Sequence, residues 1–364
     1  QNNMSFATCF EDSVSMALSS VERLLSRKNV NRNLIGRLEF ATESLTDKSK
    51  SGKTVLMKLL PHTNVEGVTV INACYGGTSA IFSAIDWLKG PGMGKLAIVV
   101  MSDIAVYPIG PAEPTGGAGS ISILLGEGSD LVFEDIRVSH FDDQYDFWKP
   151  FMDSEYPEVD GQFSTKLYIQ ILINLYKKFS LDSKSKINNF DFFCFHCPFS
   201  KQVEKALISL IASDEQTLRE YTNQKLQEDE IIKILKSEIN CPQTYKTLSK
   251  VLSDFVSQKV GSSLQISREV GNIYTGSLYL SLASTLNNLR ESKLENDTRI
   301  FLYSYGSGVA ASIFSLKLKQ GADLNKILGN KSWMGNLESR LKITISDYDN
   351  LSKARRRFNN STLI

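Results

Sequence analysis

The sequence has little of what marks several classes of protein. It contains five cysteines and three histidines among 364 residues, and its formal net charge is only +1. An odd number of scattered cysteines argues against a disulfide framework and indicates a reducing compartment. Balanced charge argues against a nucleic-acid-binding surface spread over the molecule, so we expect no nucleic-acid partner.

Long hydrophobic runs are also missing. No apolar stretch reaches the roughly 18 residues that a membrane helix needs, and no signal peptide is recognisable. We therefore expect no membrane association and a cytoplasmic location. The chain begins at Gln1 rather than Met, so a mitochondrial location stays open.

The hydrophobic residues that are present, 42% of the chain, alternate between strand and helix patterns. This alternation predicts an α/β layered fold. After residue 138 the pattern restarts, so we expect two loosely similar halves. Strands are predicted at 34–42, 65–73, 95–103, 120–126, 131–138, 190–196 and 299–304. Helices are predicted at 12–27, 53–60, 78–90, 163–179, 199–212 and over much of 215–257.

Cys74 lies where a predicted strand ends and a helix begins, before Gly76 and Gly77. A thiol there feels the positive end of the helix dipole, which predicts a lowered pKa and a nucleophilic role. The glycines allow a sharp turn and a close approach of substrate. The alternative is a buried structural cysteine, which local sequence alone favours.

Among the three histidines, His196 is the best partner for a reactive thiol. It ends an apolar strand before a helix, as Cys74 does, whereas His62 and His140 lie in polar segments. A satisfied core histidine is equally compatible with this position. Cys194 and Cys197 flank it, but one Cys-x-x-Cys without a second ligand pair is weak evidence for zinc. We expect no metal site.

Other polar motifs are open to more than one interpretation. Glu43 follows a strand beside an apolar wall, where a raised pKa would suit a general base, although most glutamates are solvated. Gly306-x-Gly308 formally matches a dinucleotide fingerprint, but we interpret it as a turn. Lys201 and Lys205 share a helix face and could meet phosphates. The run 355–357 is expected to be a solvated basic face.

Eight segments together resemble the hydroxymethylglutaryl-CoA synthases of the eukaryotic type, in the family's order and over nearly the whole chain. NACYGG with the following SDIAVY and PTGGAG is the most specific combination. The segments are GRLEFATES (36–44), NACYGGTSA (72–80), SDIAVYPIGPAEPTGGAG (102–119), YDFWKP (145–150), EYPEVDGQFS (155–164), FHCPFSKQVEKAL (195–207), GNIYTGSLYLSLAS (271–284) and FLYSYGSGVAASIFSLK (301–317).

The resemblance implies a thiolase-like fold of two related α/β halves in five layers, α-β-α-β-α. We place the halves at 1–128 and 129–364. It also implies site roles. Cys74 matches the acyl-accepting nucleophile, Glu43 the general base, and His196 the histidine that anchors and polarises the second acyl group. The other matching positions are Asn272 and Ser304 in the acyl pocket, Asp103, Tyr107 and Asp146 around the site, and Thr115, Ser164, Lys201 and Lys205 near coenzyme A.

The implied activity is the condensation of acetyl-CoA with acetoacetyl-CoA, followed by hydrolysis, in the mevalonate route to isoprenoids and sterols. Cys74 takes the acetyl group, Glu43 removes a methyl proton, and His196 holds the acceptor oxygen and supplies a proton. The thioesters are substrates, and no separate cofactor is implied.

Three alternatives remain at this stage. An inactive homologue that only binds partners predicts loss of a key residue, and none is lost. An NAD-dependent oxidoreductase predicts an early glycine fingerprint, which is missing. Another thiolase-type condensing enzyme would lack the match at Glu43.

The resemblance further implies a strand upstream of Gln1 and a homodimer. The apolar strand 95–103 is the candidate for pairing with its own copy, because an unpaired apolar edge invites aggregation.

Overall fold

The computed structural model describes residues 2–27, 30–151, 154–222, 225–238, 241–292, 296–329, 335 and 337–359. Its strands are β1 (Ile35–Ala41), β2 (Thr69–Val70), β3 (Leu96–Ala105), β4 (Gly117–Leu125), β5 (Leu131–Phe141), β6 (Phe147–Trp148), β7 (Glu158–Val159), β8 (Phe192–Phe195), β9 (Thr298–Gly306) and β10 (Ala310–Leu318). Its helices are α1 (Ser13–Leu25), α2 (Lys53–Leu56), α3 (Gly76–Leu88), α4 (Gly161–Ser183), α5 (Ser200–Ala212), α6 (Glu215–Thr222), α7 (Glu228–Lys236), α8 (Pro242–Val251), α9 (Ser253–Val270), α10 (Ser277–Asn288), α11 (Leu324–Leu328) and α12 (Ile345–Asn359).

The first sheet has the order β2-β1-β3-β4. Strands β1 and β3 run parallel, and β3 pairs antiparallel with β4 along its whole length. Because it has neighbours on both sides, β3 is buried and apolar. The prediction that residues 95–103 form a free edge is therefore wrong: β1 and β4 occupy both sides of this strand.

The edge next to β1 is formed by β2 instead. We expected a buried strand over 65–73, but only Thr69 and Val70 pair with β1 as a strand. Val68 is 56% exposed and Ile71 is 64% exposed. The apolar run 65–73 misled the prediction because an edge segment has only one strand neighbour and leaves part of its surface open to solvent.

The second sheet has the order β5-β10-β9-β8. Strands β8 and β9 run parallel, and β9 forms an antiparallel hairpin with β10. The first sheet shows the same succession, a parallel pair followed by an antiparallel strand. This shared pattern is what the expected two related halves predict.

The layers alternate between helices and sheets. Helices α3 and α10 lie between the two sheets and share one apolar cluster with β3 and β9. Helix α1 covers the outer face of the first sheet, and α4, α5 and α9 cover the outer face of the second. The five-layered, thiolase-like arrangement is thus confirmed, while the domain division at residue 128 stays a prediction.

Arg355 joins the two ends of the described chain. Arg355 of α12 is 4% exposed, forms an ion pair with Glu155 at 2.8 Å, and donates to the backbone oxygens of Thr8 and Glu11. The expectation of a solvated basic run is wrong at this position, because the guanidinium caps carbonyls of the N-terminal segment. None of the described helices is long and apolar enough to cross a membrane.

Candidate active site

Cys74 and Glu43 lie in contact after neighbouring strands. Glu43 follows β1 by two residues, and Cys74 precedes α3 by two residues. The Cys74 thiol donates a hydrogen bond to Glu43 Oε1 at 3.2 Å. Both side chains are partly accessible, so a substrate can reach them from solvent. The structure thus brings together a nucleophile and a base in the way that acyl transfer requires.

The environment of this pair holds its proton on the sulfur. Burial raises the pKa of Glu43 to about 7, and the positive charge of Lys149 opposes this shift. Burial, and then the charge of Glu43, raise the pKa of the Cys74 thiol well above its usual value. The prediction of a lowered thiol pKa at the helix start is therefore wrong, because burial and the neighbouring carboxylate outweigh the helix dipole. Glu43, as expected, is tuned near neutrality.

Asp103 holds the segment that carries Glu43. Its buried carboxylate accepts hydrogen bonds from the Thr42 hydroxyl at 2.9 Å, the Glu43 N–H at 2.8 Å and the Ser44 hydroxyl at 2.9 Å. Its other oxygen accepts from the N–H and hydroxyl of Thr275. We expected Asp103 among substrate-binding residues. With no exposed surface and five protein donors, it acts through its neighbours.

Tyr107, Asn272 and Tyr274 form a buried wall beside the thiol. The amide of Asn272 donates to the Tyr107 hydroxyl at 3.2 Å and accepts from the Tyr274 N–H at 2.9 Å. Tyr107 and Tyr274 pack edge to face, and Cys74 packs against both. Burial raises the pKa of Tyr107, so its hydroxyl stays protonated. The predicted position Tyr107 therefore does lie at the thiol, and Asn272 is hydrogen-bonded to both tyrosines behind it.

His196 lies at the end of β8 and is 3% exposed. Its backbone N–H donates to the Tyr303 backbone oxygen at 2.8 Å, and its backbone oxygen accepts from the Tyr168 hydroxyl at 2.7 Å. The ring Nδ1 has no hydrogen-bond partner. Burial lowers the pKa of His196 to about 3, so the ring is neutral at physiological pH. The expected role of His196, to hold the acceptor oxygen and supply a proton, stays a prediction.

The two halves meet at the turn between β9 and β10. A side-chain carbon added at Gly306 would lie 2.5 Å from the Tyr75 nitrogen, so only glycine allows this close approach to the Cys74 loop. His196 is anchored to the same strand through Tyr303. The end of β9 therefore connects the nucleophile loop with the histidine.

Asp146 fixes this turn from the other side. Its buried carboxylate accepts from the Gly308 N–H at 3.0 Å, the Tyr305 hydroxyl at 2.8 Å and the Ser164 hydroxyl at 2.9 Å. We expected Asp146 around the site and Ser164 near coenzyme A. In this structure they bind each other and hold the β9–β10 turn.

Four other predicted positions are less central. Ser304 is buried and accepts from the Thr78 hydroxyl at 2.7 Å, inside the middle layer. Thr115 donates to the Ala112 oxygen and supports the turn before β4. Lys201 is exposed on α5, while Lys205 lies over the ring of Tyr245. Among the described hydrogen bonds, none joins these four side chains to Cys74, Glu43 or His196.

Sequence reasoning missed Lys149, Tyr274 and Gly306 as contributors to the site. Lys149 donates to the Glu43 backbone oxygen at 3.1 Å. Tyr274 has an unusual φ of +42° and a buried hydroxyl without a hydrogen-bond partner. Each belongs to a motif noted above: Lys149 to YDFWKP, Tyr274 to GNIYT and Gly306 to YGSG. The motifs were the available signal, but the contacts exist only in the folded chain.

Cys194 and Cys197, considered above as metal ligands, are both buried and unpaired. Cys194 contacts the Thr285 hydroxyl at 3.4 Å. In the described part of the chain, no group of three or more potential ligand side chains is arranged to hold a metal ion.

The layered fold and the thiol–carboxylate pair define a condensing enzyme of the thiolase-like class. Comparison with known proteins narrows this class. Residues 1–130 match the model for the N-terminal part of hydroxymethylglutaryl-coenzyme A synthase, and residues 131–362 match the model for its C-terminal part. The chain therefore belongs to the hydroxymethylglutaryl-CoA synthase family.

Individual relatives agree with this family assignment. Hydroxymethylglutaryl-CoA synthase B of Dictyostelium discoideum is 41% identical, over 87% of this chain and 70% of its own length. The cytoplasmic synthase of Homo sapiens is 38% identical, over 94% of this chain and 69% of its own. The solved structure of MvaS in complex with 3-hydroxy-3-methylglutaryl coenzyme A has a TM-score of 0.79 and 28% identity, covering 96% of this chain and 82% of that one.

Proposed function

We propose that this protein condenses acetyl-CoA with acetoacetyl-CoA and water to give hydroxymethylglutaryl-CoA and free CoA, with the acetyl group carried on Cys74. The family assignment supports the reaction. The observation that carries the residue roles is the 3.2 Å hydrogen bond from the Cys74 thiol to Glu43. It joins the two groups that exchange protons in the first two steps: a sulfur nucleophile and a base of near-neutral pKa.

Acetyl transfer is the first step. Glu43 takes the thiol proton as the Cys74 sulfur attacks the acetyl carbonyl of acetyl-CoA. The tetrahedral intermediate expels the CoA thiolate, which takes the proton back from Glu43 and leaves as free CoA. The raised thiol pKa makes this assistance necessary, since little thiolate exists before Glu43 acts.

Carbon–carbon bond formation is the second step. Glu43 removes a proton from the methyl group of acetyl-Cys74, and the resulting carbanion adds to the β-carbonyl of acetoacetyl-CoA. The new alkoxide takes the proton that Glu43 carries. His196, as a neutral ring, donates a hydrogen bond to that oxygen and polarises the carbonyl before attack.

Hydrolysis completes the cycle. Water attacks the thioester that still joins the product to Cys74, and Glu43 accepts the proton of the water. The Cys74 sulfur leaves as a thiolate and takes this proton, which restores the resting pair. The coenzyme A thioesters are substrates and product, so the proposal needs no separate cofactor.

Lys201 and Lys205 are proposed to meet the phosphates of coenzyme A. They follow one another by one turn on α5, the helix that begins four residues after His196. The pKa of Lys205 is lowered by burial and by the neighbouring charge of Lys201. A phosphate would relieve the repulsion between the two ammonium groups.

We also propose a homodimer, which the family resemblance implies. A cytoplasmic location is supported by the human relative, which bears the name of a cytoplasmic form. With β3 internal, we assign the dimer contact to the β2 edge, where Val68 and Ile71 are exposed. Light scattering should give twice the monomer mass, and Val68→Lys should lower it. A monomer at micromolar concentration would contradict the assignment.

The product of the proposed reaction feeds isoprenoid and sterol synthesis.

Intact-mass analysis tests the central proposal. Treatment with acetyl-CoA alone should add one acetyl group to Cys74 and release one equivalent of CoA. Cys74→Ser should remain unmodified and lose turnover by on the order of 10⁴-fold. Cys9→Ser, a change at a partly exposed cysteine outside the site, is the matched control. Acetylation only at another cysteine would refute the role of Cys74 and favour the inactive-homologue alternative.

A further inference from the structure

Lys149 follows β6 and reaches the back of the Cys74–Glu43 pair. Its ammonium donates to the Glu43 backbone oxygen at 3.1 Å and lies 5.3 Å from the centre of the Tyr274 ring. The N–H of the same Glu43 donates to Asp103 at 2.8 Å. Glu43 is thus held at both its backbone groups, once by a buried acid and once by a cation.

The charge of Lys149 acts on both members of the pair. Among the described residues, it is the cation that lowers the pKa of Glu43 and of Cys74 against the larger effect of burial. The other ionisable groups that face the pair are Asp103, Tyr107 and Tyr274. Asp103 raises both pKa values, and the two tyrosines have raised pKa values themselves and stay neutral.

We propose that Lys149 is a positioning residue that sets the proton distribution of the Cys74–Glu43 pair, by fixing the Glu43 backbone and by placing one positive charge beside the thiol and the carboxyl group. Without that charge, a larger fraction of Glu43 would hold its proton at neutral pH, and a smaller fraction could accept one from the thiol or from the acetyl group. The partly buried position of Lys149 strengthens the effect, since solvent screens its charge less than at the surface.

The sign of the pH effect follows from the role of Glu43 as a base. Activity falls as the pH drops through the pKa of Glu43, because only the ionised carboxylate accepts a proton. Removing the Lys149 charge raises that pKa, so the acid limb of the profile moves to higher pH. An opposite charge near a carboxylate typically shifts its pKa by about one unit or more.

The experiment compares Lys149→Met with Lys149→Arg and with Lys233→Met, whose lysine is 78% exposed on α7. We expect the acid limb of kcat/KM to move up by about one pH unit in Lys149→Met, so that a roughly fivefold loss at pH 7 nearly disappears at pH 9. Lys149→Arg should keep most of the profile, and Lys233→Met all of it.

A second readout needs no substrate. The rate of alkylation of Cys74 by iodoacetamide, followed by peptide mass mapping from pH 7 to 10, should fall severalfold in Lys149→Met at each pH below the thiol pKa. The proposal stands only if both curves move. A loss of activity by the same factor at every pH, or unchanged alkylation, would show a merely structural role and overturn it.

This inference rests on the proposed roles of Cys74 and Glu43, and the two can fail separately. Glu43→Gln in the otherwise wild-type chain should abolish the acid limb. If the limb remained in Glu43→Gln, the role of Glu43 would be wrong. If Glu43→Gln removed the limb while Lys149→Met left it in place, only the role of Lys149 would be wrong.

Discussion

The two halves of the molecule place their reactive side chains alike and treat them differently. In the first half, Cys74 precedes α3 and donates a hydrogen bond to Glu43. Burial raises the pKa of this glutamate to about 7. In the second half, His196 precedes α5, yet its Nδ1 has no partner and its pKa is about 3. The same strand–residue–helix placement thus produces a proton-exchanging pair in one half and a neutral hydrogen-bonding group in the other.

Burial, which acts with opposite sign on an acid and on a base, explains most of this difference. Around Glu43, the charges of Lys149 and Asp103 and the Cys74 thiol act in addition to burial. Around His196, burial alone shifts the pKa. Burial disfavours the charged form of each group, so it raises the pKa of the Glu43 carboxyl towards neutrality and lowers the pKa of the His196 ring out of the working pH range, and the charges near Glu43 adjust its pKa further.

Removing the base from the first half should have the larger effect on catalysis. Glu43→Gln keeps the size of the side chain but cannot accept a proton, so we expect turnover to fall by about 10²–10⁴-fold. Cys74 should still become acetylated, more slowly, and little condensed product should form. Steady-state assays and intact mass measure the two steps. Glu158→Gln, at an exposed glutamate of β7, is the control. Unchanged turnover would show that Glu43 is not the base, and the contrast between the two halves would be lost.

Removing the His196 ring in the second half should slow only the condensation with acetoacetyl-CoA. His196→Gln removes the ring but leaves the thiol–carboxylate pair in place. We expect kcat/KM for acetoacetyl-CoA to fall by roughly 10²-fold, while acetylation of Cys74 changes by less than about threefold. Single-turnover acetylation and steady-state kinetics separate the two effects.

His62→Gln and His140→Gln serve as matched controls, because both residues are partly exposed and lie outside the site. Either control proving as damaging as His196→Gln would remove the contrast between the halves. A histidine ring at position 196 that titrates between pH 5 and 8 by NMR would do the same, because it would make both sites proton exchangers.

The smallest effect on chemistry is expected at Arg355, which belongs to neither site. Arg355→Met removes this partner from Glu155 and from three backbone oxygens, so the free energy of unfolding should fall by about 2–3 kcal/mol. Turnover of the folded enzyme at low temperature should be unchanged. Denaturant unfolding measures the first quantity, and Arg357→Met, at an exposed arginine, is the control. A drop in turnover without a drop in stability would contradict this division.

Much of the architecture follows from local patterns. The helix predicted at 12–27 forms as α1 with Asp12 as its cap, and the predicted strands at β1, β3, β4 and β9 form. The motifs around Cys74, Glu43 and His196 also indicated the family. Such features depend on residues close together in the chain, which is why periodicity and spacing reveal them.

Other features depend on distant contacts and could not be predicted. The raised pKa of Cys74 comes from Glu43, and the role of Lys149 comes from a loop far from both. Whether an apolar segment is central or at an edge depends on what pairs with it, so β3 and the 65–73 segment were misassigned. Arg355 appeared solvated because its carbonyl partners lie at the other end of the chain.

The close packing of Gly306 against Tyr75 has a consequence for the order in which the site is made. The loop with the reactive thiol leaves the ribosome before the hairpin that forms its opposite wall. Until β9 and β10 are made, the thiol has no enclosing wall and the histidine strand has no partner to anchor it there. A growing chain therefore encloses its thiol only when β9 and β10 dock.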